Sequence, residues 1–318
     1  MALIFMEGFD DGLTTAKGWN NFGGGTVTGR FGGRAALNQW GVMTRSYPGA
    51  LTNTIVIGVA ISSSQTATTV PLMTSGMARV GLVSGGYIAL YRSDNNAQIA
   101  ISTGPAWSAA GVWRYIELKY TPGTGACEIR VDGVLRVNGN VPTTASVSSL
   151  AFEYPSGNQY WIDDLYVLDS TGATNNNYLG DVRVQTLLPS SDGANLAMSP
   201  DSGTTHYNRV NEATPDTTSY VFSGAAGVKD SYKYQQLTAN TSSVHAVAVT
   251  SYASKDAPVA AGLATLVRIG STDYANAQPQ MLSASWVAAT DIYQTRPSDN
   301  APWTPTDVNT AEFGVQTS

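Results

Sequence analysis

The 318-residue chain has one cysteine, Cys127, and only two histidines, His206 and His245. A single thiol excludes an intrachain disulfide and a thiolate zinc cluster. Its setting between Ala126 and Glu128, in an alternating run, reads as a packed strand position. Charge is also scarce. Only 13% of the residues are charged, against roughly 25% in an average globular protein. Glu and Lys, which populate exposed helix faces, number six and five, so long amphipathic helices are not the main architecture. The 17 basic and 23 acidic residues leave a formal charge of −6, which argues against nucleic acid as the main partner. No apolar run approaches the ~20 residues of a membrane span, so no membrane is expected as a partner. The N-terminal apolar stretch ends after six residues, lacks a basic flank and turns acidic at Glu7. It reads as no signal peptide. The expectation is a chain made in a host cytosol and not exported by a standard route.

Catalytic motifs are missing in the same way. There is no Gly-x-Ser-x-Gly elbow, no His-Glu-x-x-His pair and no Gly-x-x-x-x-Gly-Lys loop. Gly23-Gly24-Gly25 and Gly32-Gly33 precede no helix start and read as turn glycines. His245, beside Val244 and Val247, reads as a packed or edge histidine, and His206 as a hydrogen-bonding loop residue. Retaining glycoside hydrolysis needs two carboxyl groups roughly 5–5.5 Å apart, which a strand supplies at i and i+2. The acidic pairs here, Asp10-Asp11 and Asp163-Asp164, are adjacent and face opposite sides of a strand. Glu117 and Glu128, each near a basic residue (Lys119, Arg130), read as exposed cross-strand charge pairs. The chain is therefore expected not to be an enzyme, with glycan hydrolase as an outsider.

What the sequence does contain is strand grammar. Ser and Thr supply about a fifth of the residues, Gly numbers 32, and 42% of the chain is hydrophobic, enough for sizeable cores. Residues 54–61 are apolar enough for a strand covered on both faces. Residues 86–91 and 97–101 flank a turn-like Ser-Asp-Asn-Asn and form a hairpin pattern. In 113–120 the period of two puts Ile116, Leu118 and Tyr120 on one face. Asp132-Gly133 between two alternating runs predicts a hairpin whose turn residues take positive φ. A strand over 160–168 closes the series. After a small, polar stretch at 169–177 the pattern restarts, with strands predicted at 181–188, 244–249, 264–269, 283–287 and 312–315. A long loop over 189–220 carries one helical turn at 205–211. Thr304-Pro305-Thr306-Asp307 predicts a helix start, with Thr as N-cap and Pro at the first position. Strands without intervening helices mean antiparallel sandwiches or barrels.

Three segments of the first half carry a resemblance. These are Gly8-Phe9-Asp10-Asp11-Gly12, then Trp113-x-x-Ile116-Glu117-Leu118-x-Tyr120 with Ile129-x-Val131-Asp132-Gly133, and Trp161-Ile162-Asp163-Asp164-Leu165-Tyr166-Val167. In this order they resemble the concanavalin A-like, laminin-G-like jelly-roll family over about residues 1–169. The resemblance implies that the first and last strands lie close together, bringing Glu7–Asp11 near Asp163. It also implies a possible structural calcium there, with Glu7, Asp163 and a carbonyl near Gly32-Gly33 supplying part of a shell of six to eight oxygens. The Glu-x-Asp-x-x-Glu strand of the glycosidase branch is absent. The second half resembles a module of tailed-bacteriophage virion proteins over about 178–318. The carrying residues are 179–184, Leu187-Leu188-Pro189 with Asp192-Gly193, Tyr207-x-x-Val210-x-Glu212, Pro302-Trp303-Thr304, Asp307-Val308-Asn309 and Phe313-Gly314-Val315.

The expected architecture is all-β: a jelly-roll β-sandwich over 1–170, a linker at about 169–177, and a second β-rich, sandwich-like domain over 178–318. The second resemblance implies a non-enzymatic structural protein of a phage particle, in capsid decoration, a head or collar fibre, or the tail or baseplate. It would be located in the virion and act by assembly with other virion proteins and with copies of itself. The alternative is a host-attachment protein that binds a surface glycan through the jelly roll. Most of the 16 Tyr and seven Trp residues are expected in cores. Trp19, Trp40, Trp107 and Trp303, beside turn-forming residues, are the candidates for exposed contacts, and Trp40 and Tyr91 for platforms under sugar rings.

Overall fold

The computed structural model describes residues 2–20, 25–39, 41–153, 158–256, 258 and 260–318. Trp40 lies outside them. The chain forms two units, one of Met1–Asp10 with Gly18–Val184 and one of Asp11–Lys17 with Gln185–Ser318.

The first unit is a sandwich of two antiparallel sheets. An eight-stranded sheet runs Val134–Asn140, Ala126–Val131, Trp113–Thr121, Ile55–Ser63, Tyr160–Asp169, Arg34–Asn38, Thr26–Thr28, with Leu3–Glu7 also paired to Tyr160–Asp169. A seven-stranded sheet runs Gln98–Ile101, Tyr87–Arg92, Ala78–Val83, Val70–Ser75, Val147–Phe152, Met43–Leu51, Trp19–Asn20. Alternation puts Ile57, Ile116, Leu118 and Tyr120 of the first sheet in one core with Leu72, Leu90 and Phe152 of the second. The Ile55–Ser63 strand is buried at every position, as its unbroken apolar run requires. Its outer face is covered too, because Gly58 leaves room for the Tyr166 ring of the neighbouring strand, which a Cβ there would overlap. Asp132 and Gly133 both take positive φ, 51° and 76°, and hold Val131 opposite Val134, as a two-residue hairpin turn demands.

The second unit has a six-stranded antiparallel sheet in the order Pro189–Leu196, Lys229–Tyr234, Glu312–Thr317, Gly262–Ile269, Thr272–Ala275, with Gln280–Met281 also on Gly262–Ile269. A two-stranded ribbon, Val247–Ala253 with Val287–Tyr293, shares a small core with it through Val249, Val267, Trp303, Val308 and Phe313. The helix Pro305–Thr310 starts at the expected capping box: the Thr304 hydroxyl accepts from Asp307 N–H, and Asp307 accepts from Thr304 N–H. The single turn near 205–211 is a 3-10 helix, Tyr207–Arg209.

Two strand expectations fail here. Residues 181–188 form no strand, and the predicted loop over 189–220 opens with one, Pro189–Leu196. The reason lies in the partners of 179–184. Leu179, Gly180 and Val184 donate their N–H groups to the side chains of Tyr166, Glu117 and Asp164, so this extended, apolar-looking segment straps a sheet face instead of joining a ladder. The strand expected at 283–287 begins only at Val287.

Candidate functional site

Asp163 and Asp164 do not face opposite sides as strand alternation predicts. The Tyr160–Asp169 strand bulges between Asp163 and Tyr166, and Asp164 sits at φ 51°. A bulge inserts an extra residue and re-aims the side chains beside it, so both acids meet Arg30. Asp163 accepts from the N–H groups of Arg30 and Asp164, each at 2.8 Å. Asp164 accepts from Val184 N–H at 2.8 Å, and its other oxygen lies 3.6 Å from the Arg30 guanidinium, which is itself held by Asp181 at 2.5 and 2.6 Å. Burial and the Asp164 charge push Asp163 up to about 7. Burial likewise pushes Asp164 up to about 6.

These partners decide the calcium expectation. Glu7 accepts from Phe9 N–H and faces Arg45 at 3.7 Å. Both Asp163 oxygens already accept backbone N–H groups, and the Gly33 carbonyl accepts from Gly29 N–H at 2.7 Å. Among the described residues no group of three or more His, Cys, Asp or Glu side chains is placed to hold a metal ion. Oxygens turned toward N–H donors and a guanidinium do not make the shell that calcium takes, so the described residues do not fit one.

Three of the expected contact residues are buried instead. Trp19, 1% exposed, stacks on Phe152 and meets Phe5 and Phe9; it begins a strand and points inward. Trp107 is fully buried, because the N–H groups of Ala106 and Trp107 both bond to Gly86 O and fold the loop over the core. Trp303, 3% exposed, donates its indole N–H to Tyr293 O at 2.9 Å and packs on Phe313. Among the described candidates only Tyr91 is half-exposed, lying over Gly81 with its hydroxyl donating to Gln98. Cys127 is buried and its thiol pushed up to about 12 by that burial, so its role is packing.

The outer face of the eight-stranded sheet carries a different constellation. Register places Lys119 opposite Glu128 and Glu128 opposite Asn138, with Thr121, Ala126 and Asn140 in the next row. These side chains line a groove of about 340 Å³. Tyr178, from the strap, donates its hydroxyl to Glu128 at 3.0 Å and lies with its ring 3.9 Å from the Arg130 guanidinium and 5.3 Å from Lys119 Nζ. Asn138 and Asn140 are exposed, and their amides make no hydrogen bond to a described residue. Glu117, in the adjoining row, is 1% exposed. Register sets Glu117 opposite Arg130, but the expected exposed charge pair is not what its carboxylate makes, since Tyr166 OH and Gly180 N–H close over it at 2.6 and 2.9 Å. The groove has one signal in the sequence: asparagines two apart at Asn138 and Asn140, which share a strand face.

In the second unit His206 is the loop hydrogen-bonder expected. Its Nδ1 lies 2.6 Å from Asp230 Oδ2, which also accepts from Tyr232 OH at 3.0 Å, while Asp230 Oδ1 accepts from Met198 N–H at 2.8 Å. His245 is exposed and lies just ahead of the ribbon strand, which begins at Val247 and not at Val244.

No family model and no curated protein matches the chain. Among solved structures it is similar to a protein of unknown function with a galectin-like fold from Bacillus subtilis (10% identity, 53% of this chain and 96% of that one, TM-score 0.39). It is also similar to domain 4 of an extracellular arabinanase from Geobacillus stearothermophilus, solved with arabinotriose (19% identity, 53% and 92%, TM-score 0.38). A third is a sialidase, of which the match spans only 18% (12% identity, 52% of this chain, TM-score 0.38). Likenesses at this level carry no argument about the present chain, whose fold stands on its own strand pairing.

Proposed function

We propose that the first unit is a non-catalytic, glycan-binding sandwich whose binding face is the groove between Trp113–Thr121 and Val134–Asn140. The observation that carries this reading is the pair of exposed, unengaged amides of Asn138 and Asn140, which line one groove with Lys119 and Glu128. An amide offers both a donor and an acceptor, which matches the vicinal hydroxyls of a sugar, and a site built to hydrogen-bond hydroxyls discriminates strongly against ligands that lack them. The strands hold these side chains in fixed register, so little ordering is needed on binding. Asp163 and Asp164, the acids with raised pKa, do not line the groove, and their oxygens are turned to N–H groups and Arg30; this supports binding without hydrolysis. The virion-assembly reading rests on the sequence resemblance alone, while a glycan-binding sandwich suits the host-attachment alternative.

A glycan array followed by calorimetry on the full chain tests this. With each hydrogen bond contributing about 0.5–1.5 kcal/mol, Asn138→Ala with Asn140→Ala should weaken binding by about tenfold and leave the melting temperature unchanged. Equal affinity in the double variant, an empty array, or release of reducing ends would each defeat the reading.

A further inference from the structure

Four aromatic rings form a continuous row at the surface of the second unit. Phe222 and Tyr220 are 6.2 Å apart between ring centres, Tyr220 and Trp286 6.3 Å, and Trp286 and Tyr252 5.3 Å. Phe222 is 53% and Tyr220 39% exposed; Trp286 and Tyr252 are half-buried. The backbone holds the row in place. Asp201 N–H donates to Tyr220 O, and Tyr220 N–H donates to the Asp201 carboxylate. Phe222 pairs with Ser199, while the pairing of Ala253 with Val287 fixes the chain beside Trp286.

We propose that this row is a stacking platform for an uncharged saccharide chain, a binding site on the second unit separate from the groove. The polar tips and the charge of the surroundings name the ligand. Trp286 Nε1 and the Tyr220 and Tyr252 hydroxyls make no hydrogen bond to a described residue, so the row combines apolar ring surface with unused polar atoms. A pyranose has the complementary pattern, C–H faces bordered by hydroxyls, whereas a purely apolar partner would strand those polar tips. Around Tyr220 the charged groups are carboxylates. Asp216 accepts from Thr218 and Ser219, Glu212 from Ser219, and the nearby Arg209 is paired with Asp201 at 3.6 Å. That rim repels polyanions. A second copy of this chain, with a net charge of −6, would bring the same carboxylates face to face. The ring spacings are comparable to one sugar unit along an extended chain.

Native electrophoresis of the full chain in gels containing hydroxyethylcellulose, glucomannan or xylan, with alginate as the anionic control, tests the proposal. The wild-type chain should be retarded in at least one neutral gel and not in alginate. Trp286→Ala and Phe222→Ser should each weaken that retardation at least fivefold, and should do so equally in a chain that already carries Asn138→Ala with Asn140→Ala, so that loss of the groove and loss of the row are read apart. Phe222→Ser alters an already exposed position, so it carries the test if Trp286→Ala fails to fold. Absence of retardation in every neutral gel, or wild-type mobility of Phe222→Ser, overturns the proposal. So does a dimer of the wild-type chain that Phe222→Ser dissociates, which would make the occupant a second copy. Loss confined to the Asn138/Asn140 variant would assign saccharide binding to the groove and remove it from the row.

Discussion

In the first unit the Ile55–Ser63 strand is buried along its whole length, and residues from both sheets meet in one extensive apolar core. No strand described in the second unit is buried throughout, and its apolar core gathers around Trp303 and Phe313. A polar pair is buried in it as deeply as any apolar one: Asp230 and Ser231 are both 0% exposed, like Leu266 and Val267. Asp230 satisfies His206, Tyr232 and Met198 N–H, and Ser231 donates to Glu312 at 2.7 Å. The first unit is thus held chiefly by area removed from water. The second leans on acceptors that must be present, because a buried donor without a partner costs its full desolvation.

The sharpest way to break this comparison is Asp230→Ala, which removes the acceptor of three buried donors at once. About 3 kcal/mol or more should be lost, and hydrogen exchange should speed up across 192–232 while Ile55–Ser63 keeps its protection. Equal acceleration in both regions would mean that the polar cluster is not the second unit's own support.

A smaller effect should come from pH, and from the first unit. The folded-state pKa values of Asp163 and Asp164 are raised above the ordinary 3.8, to about 7 and about 6. For a raised carboxyl the folded state holds more protons than the unfolded one, so stability is full below about pH 4. It falls as pH climbs toward 7 and levels off above. The decline should be of order 1–4 kcal/mol, given 1.36 kcal/mol per unit and the mutual influence of the two acids. Thermal melts from pH 4 to 8 check it, and Asp163→Asn should flatten the slope. An unchanged slope in that variant would place the decline elsewhere.

The smallest effect belongs to the capping box. Thr304→Ala should cost about 1 kcal/mol, read as a lower melting temperature, with Thr304→Ser restoring most of it. A loss of several kcal/mol would show that the helix supports the second unit's core far more than its six residues suggest.

Much of the fold was legible because period and turn chemistry are local. The Asp132-Gly133 hairpin, the inward row Ile116, Leu118, Tyr120 and the Thr304 capping box each follow from a few adjacent residues. Strands such as Arg34–Asn38 and Val70–Ser75 were not anticipated, being short and built from small or mixed residues without clean alternation. The stretch 181–188 misled because two of its donors, Val184 and Leu188 N–H, are taken by the side chains of Asp164 and Gln235, distant in sequence. The groove was half visible in Asn138 and Asn140. The contact of Tyr178 with Glu128 and Arg130 was not, because nothing local says that a polar linker will return to the sheet it has just left.

By itself the sequence determined that this protein is built of antiparallel strands, with scarce charge and one inert thiol, since composition and two-residue periodicity act over a few positions. Tertiary structure alone decided which aromatics are swallowed and which are offered, and that neighbouring acids at 163 and 164 share one arginine. Those outcomes depend on how much apolar neighbourhood the rest of the chain supplies and on one extra residue in a strand, neither of which a local pattern encodes.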